Sequence, residues 1–129
     1  MKAKGPRTER ELVHLFNNTG IWSAIRVAGS GLTKDPNPDV LAGNAKRCLA
    51  IECKSIKGNY KYIYKEQIEQ VKEFAKKFGA EPWIAIRFNI KGWYFLKPDD
   101  LAQTKSSENS MINLKLAEEK GLKFKELTE

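Results

Sequence analysis

Histidine, cysteine and long apolar runs are scarce in this chain of 129 residues. It has two cysteines and one histidine, His14, which do not make a zinc site of familiar spacing. Cys48 and Cys53 stand five apart in a segment that reads as one strand. The odd offset sends them to opposite faces and excludes a bridge between them there. They read as small buried side chains in a reducing compartment. No apolar stretch nears the roughly 20 residues that span a bilayer, and no basic start leads into an apolar segment with a cleavage site. Internal repeats, low-complexity tracts and a second domain are missing too. One compact domain over residues 1–129 is expected, large enough to build a core without covalent staples.

Acid is the scarcer sign of charge. Against 23 lysines and arginines there are 16 acidic residues, giving a net charge of +7 and a pI of about 9.4. That surplus favours a polyanionic partner, with nucleic acid ahead of a membrane surface. The expectation is a soluble, cytoplasmic, nucleoid-associated protein with no membrane partner.

Residues 6–17 read as a helix. Pro6 suits a first turn, Leu12, Val13 and Phe16 form an apolar stripe, and Asn18-Thr19-Gly20 stops it. A strand over 21–28 leads into a turn-rich loop from Gly29 to Pro38. Strands over 39–42 and 47–55 follow, joined at Gly43-Asn44, and Leu49, Ile51 and Cys53 alternate along the second. A segment over 60–64 alternates aromatics with other residues. The clearest helix covers 65–78, where Ile68, Val71, Phe74, Ala75 and Phe78 recur at helical spacing and Gly79 is placed for the C-cap. Strands over 83–88 and 92–96 come next, joined by a turn at 89–91. Pro98-Asp99 reads as a turn or helix start. A polar loop is expected over 105–110, and 112–127 has room for a short helix ending at Gly121. This order predicts an α/β fold with a central mixed sheet flanked by helices.

Three features then converge. Asp39 follows Pro38 at the start of a strand. Glu52-Cys53-Lys54 lies on the next strand, where an offset of two turns Glu52 and Lys54 to one face. Glu9 precedes Leu12, Val13 and Phe16 by three, four and seven residues, which puts a carboxylate in line with the buried stripe of the first helix. A carboxylate in line with a core needs a reason, and a hard divalent cation supplies one. Mg²⁺ takes carboxylate oxygens, keeps waters and is completed by substrate phosphate. A lysine beside it can hold a water and stabilise charge on phosphate. An E-x-K on a strand is common, and by itself marks no more than a surface ion pair. Asp35 is a rival to Asp39 but lacks a strand after it.

On these residues the chain resembles the archaeal Holliday junction resolvases, a branch of the PD-(D/E)xK nucleases. Lys4-Gly5 with Glu9-Arg10-Glu11-Leu12-Val13 resembles the family's first helix. Arg26-Val27-Ala28-Gly29-Ser30 is similar to its next strand and Gly-Ser loop, and Asp39 to Asn44 to its first metal-binding strand. Ile51-Glu52-Cys53-Lys54 matches its E-x-K, and Phe74 to Gly79 the end of a helix with two aromatics four apart. The match runs over roughly residues 4–96, and the stretch from Ser30 to Asp39 is longer than usual. The role of Ser30 depends on that loop.

The resemblance implies a restriction-endonuclease-like fold. It makes Glu9, Asp39 and Glu52 metal ligands or their close partners, Lys54 the catalytic lysine and Ser30 a further catalytic candidate. Arg10, Arg26, Lys4 and Lys57 would meet DNA. The implied cofactor is Mg²⁺, with Mn²⁺ as substitute. The implied substrate is a four-way DNA junction cut by a homodimer in recombination and repair, leaving 5′-phosphates, in an archaeal cell or a virus of one. Another nuclease of the superfamily, of restriction or repair type, and a DNA-binding module without catalysis are the rival readings.

Other residues are read both ways. Phe74 and Phe78 fit core packing, a dimer surface or a contact at the centre of a branched DNA. Tyr60, Tyr62 and Tyr64 share one strand face, read first as core or sheet packing and second as a stacking surface for bases. Lys57, Lys61, Lys65, Lys72, Lys76 and Lys77 are expected in solvent, where their summed field favours phosphate. His14 lies off the Glu9 line.

Overall fold

A computed structural model describes residues 4–28, 35–104 and 109–129. Residues 29–34 of the loop expected from Gly29 to Pro38, Ser30 among them, and residues 105–108 lie outside the described residues, as does the side chain of Lys4.

Helix α1 (Lys4–Asn17) leads into β1 (Ser23–Arg26), β2 (Val40–Gly43) and β3 (Cys48–Ile56). Then come β4 (Tyr60–Tyr64), α2 (Lys65–Phe78), β5 (Glu81–Phe88) and β6 (Gly92–Leu96). A 3₁₀ turn at Pro98–Asp100, short β7 (Ala102–Gln103), β8 (Asn109–Asn113), α3 (Leu114–Lys120) and α4 (Phe124–Thr128) complete the chain. The main sheet has the order β1-β2-β3-β5-β6, antiparallel except for the parallel β3–β5 pair. A second antiparallel sheet runs β4-β8-β7. No helix among the described residues is long and apolar enough to cross a membrane.

The main sheet is covered on both faces, as the α/β reading expects. Leu49, Ile51 and Cys53 of β3, with Trp83 and Ala85 of β5, face Leu12 and Phe16 of α1 and Leu127 of α4. Ala50 of β3, with Ile84 and Ile86 of β5, faces Ile68, Val71 and Ala75 of α2 and Ala117 of α3. Period-two strands between period-3.6 helices produce this division.

Helix ends follow local chemistry. Gly79 closes α2 at φ 84°, its N–H donating to Ala75 O, a conformation that costs glycine nothing. Gly121 closes α3, where a Cβ would stand 2.6 Å from Ala117 O.

The structure departs from the sequence reading in four places. The strand expected over 21–28 is confined to β1, because Thr19 Oγ1 accepts the N–H groups of Ile21 and Trp22 and keeps them in a turn. Asn109 and Ser110, expected in a polar loop, pair with β4 as part of β8. The five-residue α4 went unseen because it is too short for a periodic signal, although Leu127 is buried in the core. Tyr60, Tyr62 and Tyr64, expected to pack, are 56, 52 and 63% exposed. Their strand belongs to the second sheet, which turns Ile63 and Ile112 inward instead.

One arginine ties the β2–β3 turn to the far end of the chain. Arg47 donates two 2.8 Å hydrogen bonds to the Glu81 carboxylate and one of 2.6 Å to Leu127 O. Its guanidinium also lies 5.7 Å from the Trp22 ring centroid. The hydrogen bond from Arg47 holds the Glu81 carboxyl below the ordinary carboxylate range. Arg47→Ala is expected to cost about 1–3 kcal/mol, since the bonds are charge-assisted but Glu81 is partly solvated. A lowered carboxyl pKa contributes stability above the ordinary value and loses it as pH falls through the folded one. Melting curves of both proteins should therefore differ at neutral pH and converge partway in acid.

Candidate active site

Asp39 sits where two ladders part. Val27 N–H donates to Asp39 O at 2.9 Å, in step with the Arg26↔Val40 register of β1 and β2. Asp39 N–H donates to Ile51 O, also at 2.9 Å, one residue out of step with the Val40↔Ile51 register of β2 and β3. The chain stays paired with β1 while it leaves β3. This opens the ladder beside Cys53, whose N–H donates to Asp39 Oδ2 at 2.8 Å. A side chain thus takes the place of a backbone acceptor, and the carboxylate is aimed by main-chain geometry.

Glu52 and Lys54 flank Cys53 on the opposite face of β3, and Lys54 Nζ lies 3.4 Å from Glu52 Oε2. Their side chains are 13 and 17% exposed, so this pair is no surface ion pair. Burial, then the charge of Asp39, pushes the Glu52 carboxyl up to about 8, against the pull of Lys54. Glu9 reaches the same field from α1. Its carboxyl is raised by burial and by Asp39, and lowered by Arg26. Arg26 Nε donates to Glu9 Oε1 at 2.8 Å. Burial also pushes the Cys53 thiol well up, with Asp39, Glu9 and Glu52 adding to it. Asp39 therefore acts on both Glu9 and Glu52.

The structure brings Glu9, Asp39, Glu52 and Lys54 into one electrostatic neighbourhood. Glu9, expected among the ligands of a metal, is engaged by Arg26, and Arg26, expected to meet DNA, is engaged by Glu9. Among the described residues no three acidic, histidine or cysteine side chains gather as a ready-made ligand set. Two carboxylates remain, Asp39 and Glu52, and burial pushes that of Glu52 toward protonation. That donor set fits Mg²⁺, which is commonly bound by one or two carboxylates and completed by water and phosphate. Arg10 is exposed on α1 and Lys57 in the β3–β4 turn. His14 and Asp35 are exposed, and Asp35 stands outside the β2 ladder.

Two features escaped the sequence reading. One is the Cys53 N–H as the anchor of Asp39, a main-chain group without a residue signature. The other is the clasp next to Glu9, in which Glu11 accepts from Arg87 Nε and from Trp93 Nε1 at 2.8 and 2.7 Å. It locks α1 to β5 and β6, and its partners are more than 70 residues away in sequence.

Comparison with known proteins agrees with this architecture. The archaeal Holliday junction resolvase (Hjc) family matches residues 1–129. The chain is 39% identical to crossover junction endodeoxyribonuclease Hjc of Archaeoglobus fulgidus over 98% of this chain and 96% of that one. It is 40% identical to the enzyme of the same name from Sulfolobus acidocaldarius, over 98 and 87%. The solved structure of Archaeoglobus fulgidus Hjc, a Holliday junction resolvase from an archaeal hyperthermophile, superposes with a TM-score of 0.86 at 37% identity, covering 95% of this chain and 96% of that one. A family matched end to end, relatives matched over most of their length and a shared fold make this chain a member of the archaeal Holliday junction resolvase family.

Proposed function

We propose that this chain resolves four-way DNA junctions by Mg²⁺-dependent phosphodiester hydrolysis at a centre built from Asp39, Glu52 and Lys54, with Glu9 and Arg26 beside it. The observation that carries the site is the Asp39 carboxylate, held at 2.8 Å by Cys53 N–H and acting on both Glu9 and Glu52. The substrate follows from the relatives, which are named crossover junction endodeoxyribonucleases.

Asp39 and Glu52 would hold the ion, with Mn²⁺ as a working substitute. A bound Mg²⁺ would supply Lewis-acid stabilisation of the phosphate oxygens. The residues do the rest. Lys54 stabilises negative charge as it grows on the phosphate under attack by water. Water oxygen bonds to phosphorus, the bond to the 3′ oxygen breaks, and a 5′-phosphate and 3′-hydroxyl are left. The Glu9–Arg26 pair keeps a carboxylate close to Asp39 without stacking another bare charge there. Exposed Arg10 and Lys57 would meet backbone phosphates, with Lys4 proposed for the same role and Ser30 as a further catalytic residue. Recognition is of shape and charge rather than base sequence.

Two symmetric nicks call for two centres, hence a C₂ homodimer. Phe78, 56% exposed and stacked on Phe74 at 4.9 Å, gives α2 an apolar end that a second copy would cover. The setting is intracellular, in an archaeal cell or a virus of one.

Labelled four-way junction and matched duplex, each with and without Mg²⁺, test the reading. Only the junction with metal should be cut, and chelation should stop the reaction. Cutting of plain duplex at an equal rate would favour a restriction or repair enzyme. Asp39→Asn keeps an acceptor for Cys53 N–H, so the fold should stand and the junction should still bind. Cleavage should fall about a thousandfold or more. Wild-type cleavage by that variant would overturn the site, and Asp35→Asn, expected to cleave normally, is its control. Lys54→Ala should lose roughly 100- to 1,000-fold in single-turnover rate.

A further inference from the structure

Strand β4 leaves directly from the site. Three residues, 57–59, turn the chain from the end of β3 into β4. Alternation along β4 sends Tyr60, Tyr62 and Tyr64 outward and turns Lys61 and Ile63 the other way. Ile63 is fully buried. Lys61 Nζ comes within 3.4 Å of the carbonyl oxygen of Ser55, the residue after Lys54. The residue is exposed overall, so a DNA strand can reach it.

Among the described residues no carboxylate forms a salt bridge with Lys61. Burial and then the field of Lys54 lower the pKa of Lys61. A single carboxylate, Glu52, pairs with Lys54. Two cations held near each other by strand geometry repel, and more so away from bulk water. An anion lying against both removes that cost. The chain is strongly basic and its reaction runs along a polyphosphodiester, so the anion at hand is the next phosphate of the same strand.

We propose that Lys61 and Lys54 bracket an anion subsite that takes a DNA phosphate beside the one being cleaved, with Lys61 as its binding cation. The subsite rests on the reading of Asp39, Glu52 and Lys54 as the reacting centre. It assigns Lys61 to positioning of the strand. Exchange of one ammonium for an ordered phosphate contact also makes the position of the cut depend on backbone geometry rather than on a base.

The test uses four-way junctions that carry one neutral methylphosphonate at each phosphate flanking the cleaved bond in turn, cut in Mg²⁺ by wild type, Lys61→Ala and Lys61→Arg. Lys61→Ala should lower kcat/KM about tenfold or more, chiefly through KM, and Lys61→Arg should recover most of it because a guanidinium also holds phosphate. Junction binding without metal should lose about 0.9 from the slope of log K against log salt, the share of one phosphate. At one flanking position the neutral linkage should slow wild type by a similar factor and leave Lys61→Ala unchanged. Wild-type behaviour of Lys61→Ala, or independent losses from variant and linkage at every position, would overturn the subsite. Lys61→Gln replaces Lys61→Ala if circular dichroism shows the latter unfolded. Asp39→Asn run alongside separates the two readings. If it cleaves normally the centre itself is misplaced; if it is dead and Lys61→Ala is normal, only the subsite fails.

Discussion

Main-chain pairing between β2 and β3 ends one residue before it would exclude a side chain, and Asp39 fills the opening. Its carboxylate accepts the Cys53 N–H at 2.8 Å while its own backbone remains bonded to both neighbouring strands. Without that acceptor a buried N–H would stand unsatisfied, at about 1–3 kcal/mol. The same bond that completes the sheet therefore fixes where the central carboxylate points. Glu52 and Lys54 gain their places from the other end of the bond, because they flank Cys53 on a strand paired with β5 from Leu49 to Ile56.

Electrostatics around this point are arranged with few charges to spare. Burial and then Asp39 raise the carboxyls of Glu9 and Glu52, and each of these forms an ion pair, with Arg26 and Lys54 respectively. The cations restrain repulsion without neutralising the site, since Glu52 is still pushed up to about 8. Negative charge that burial and a neighbour both oppose is what a divalent cation relieves best. Outside this ring the basic excess of the chain takes over, first at Lys61 and then in the exposed lysines of α2.

The scaffold holds these groups still. Glu11 is clasped by Arg87 and Trp93 two residues from Glu9, so α1 cannot roll on the sheet without breaking these hydrogen bonds. Arg47 ties the β2–β3 turn to β5 and to α4. The second sheet carries one turn of chain from the reacting strand to a surface of exposed tyrosines.

Local pattern was enough for much of this. The phase of Glu9 against Leu12 and Phe16, the shared face of Glu52 and Lys54, both long helices and the five strands of the main sheet follow from periodicity, which the backbone enforces residue by residue. Gly79 and Gly121 marked helix ends for the same local reason. What pattern did not hold was which of two faces is covered. The tyrosines of β4 alternate as a packed strand does, yet only the pairing with β8 decides that Ile63 goes inward. Nor could spacing reveal that Glu9 spends its charge on Arg26, that Asp39 is aimed by a backbone N–H fourteen residues on, or that Lys61 comes back to the carbonyl of Ser55. The sequence by itself determined the elements and the residue types of the centre, because these depend on neighbours along the chain. The tertiary structure alone decided which charges meet, because that depends on strands brought together across long separations.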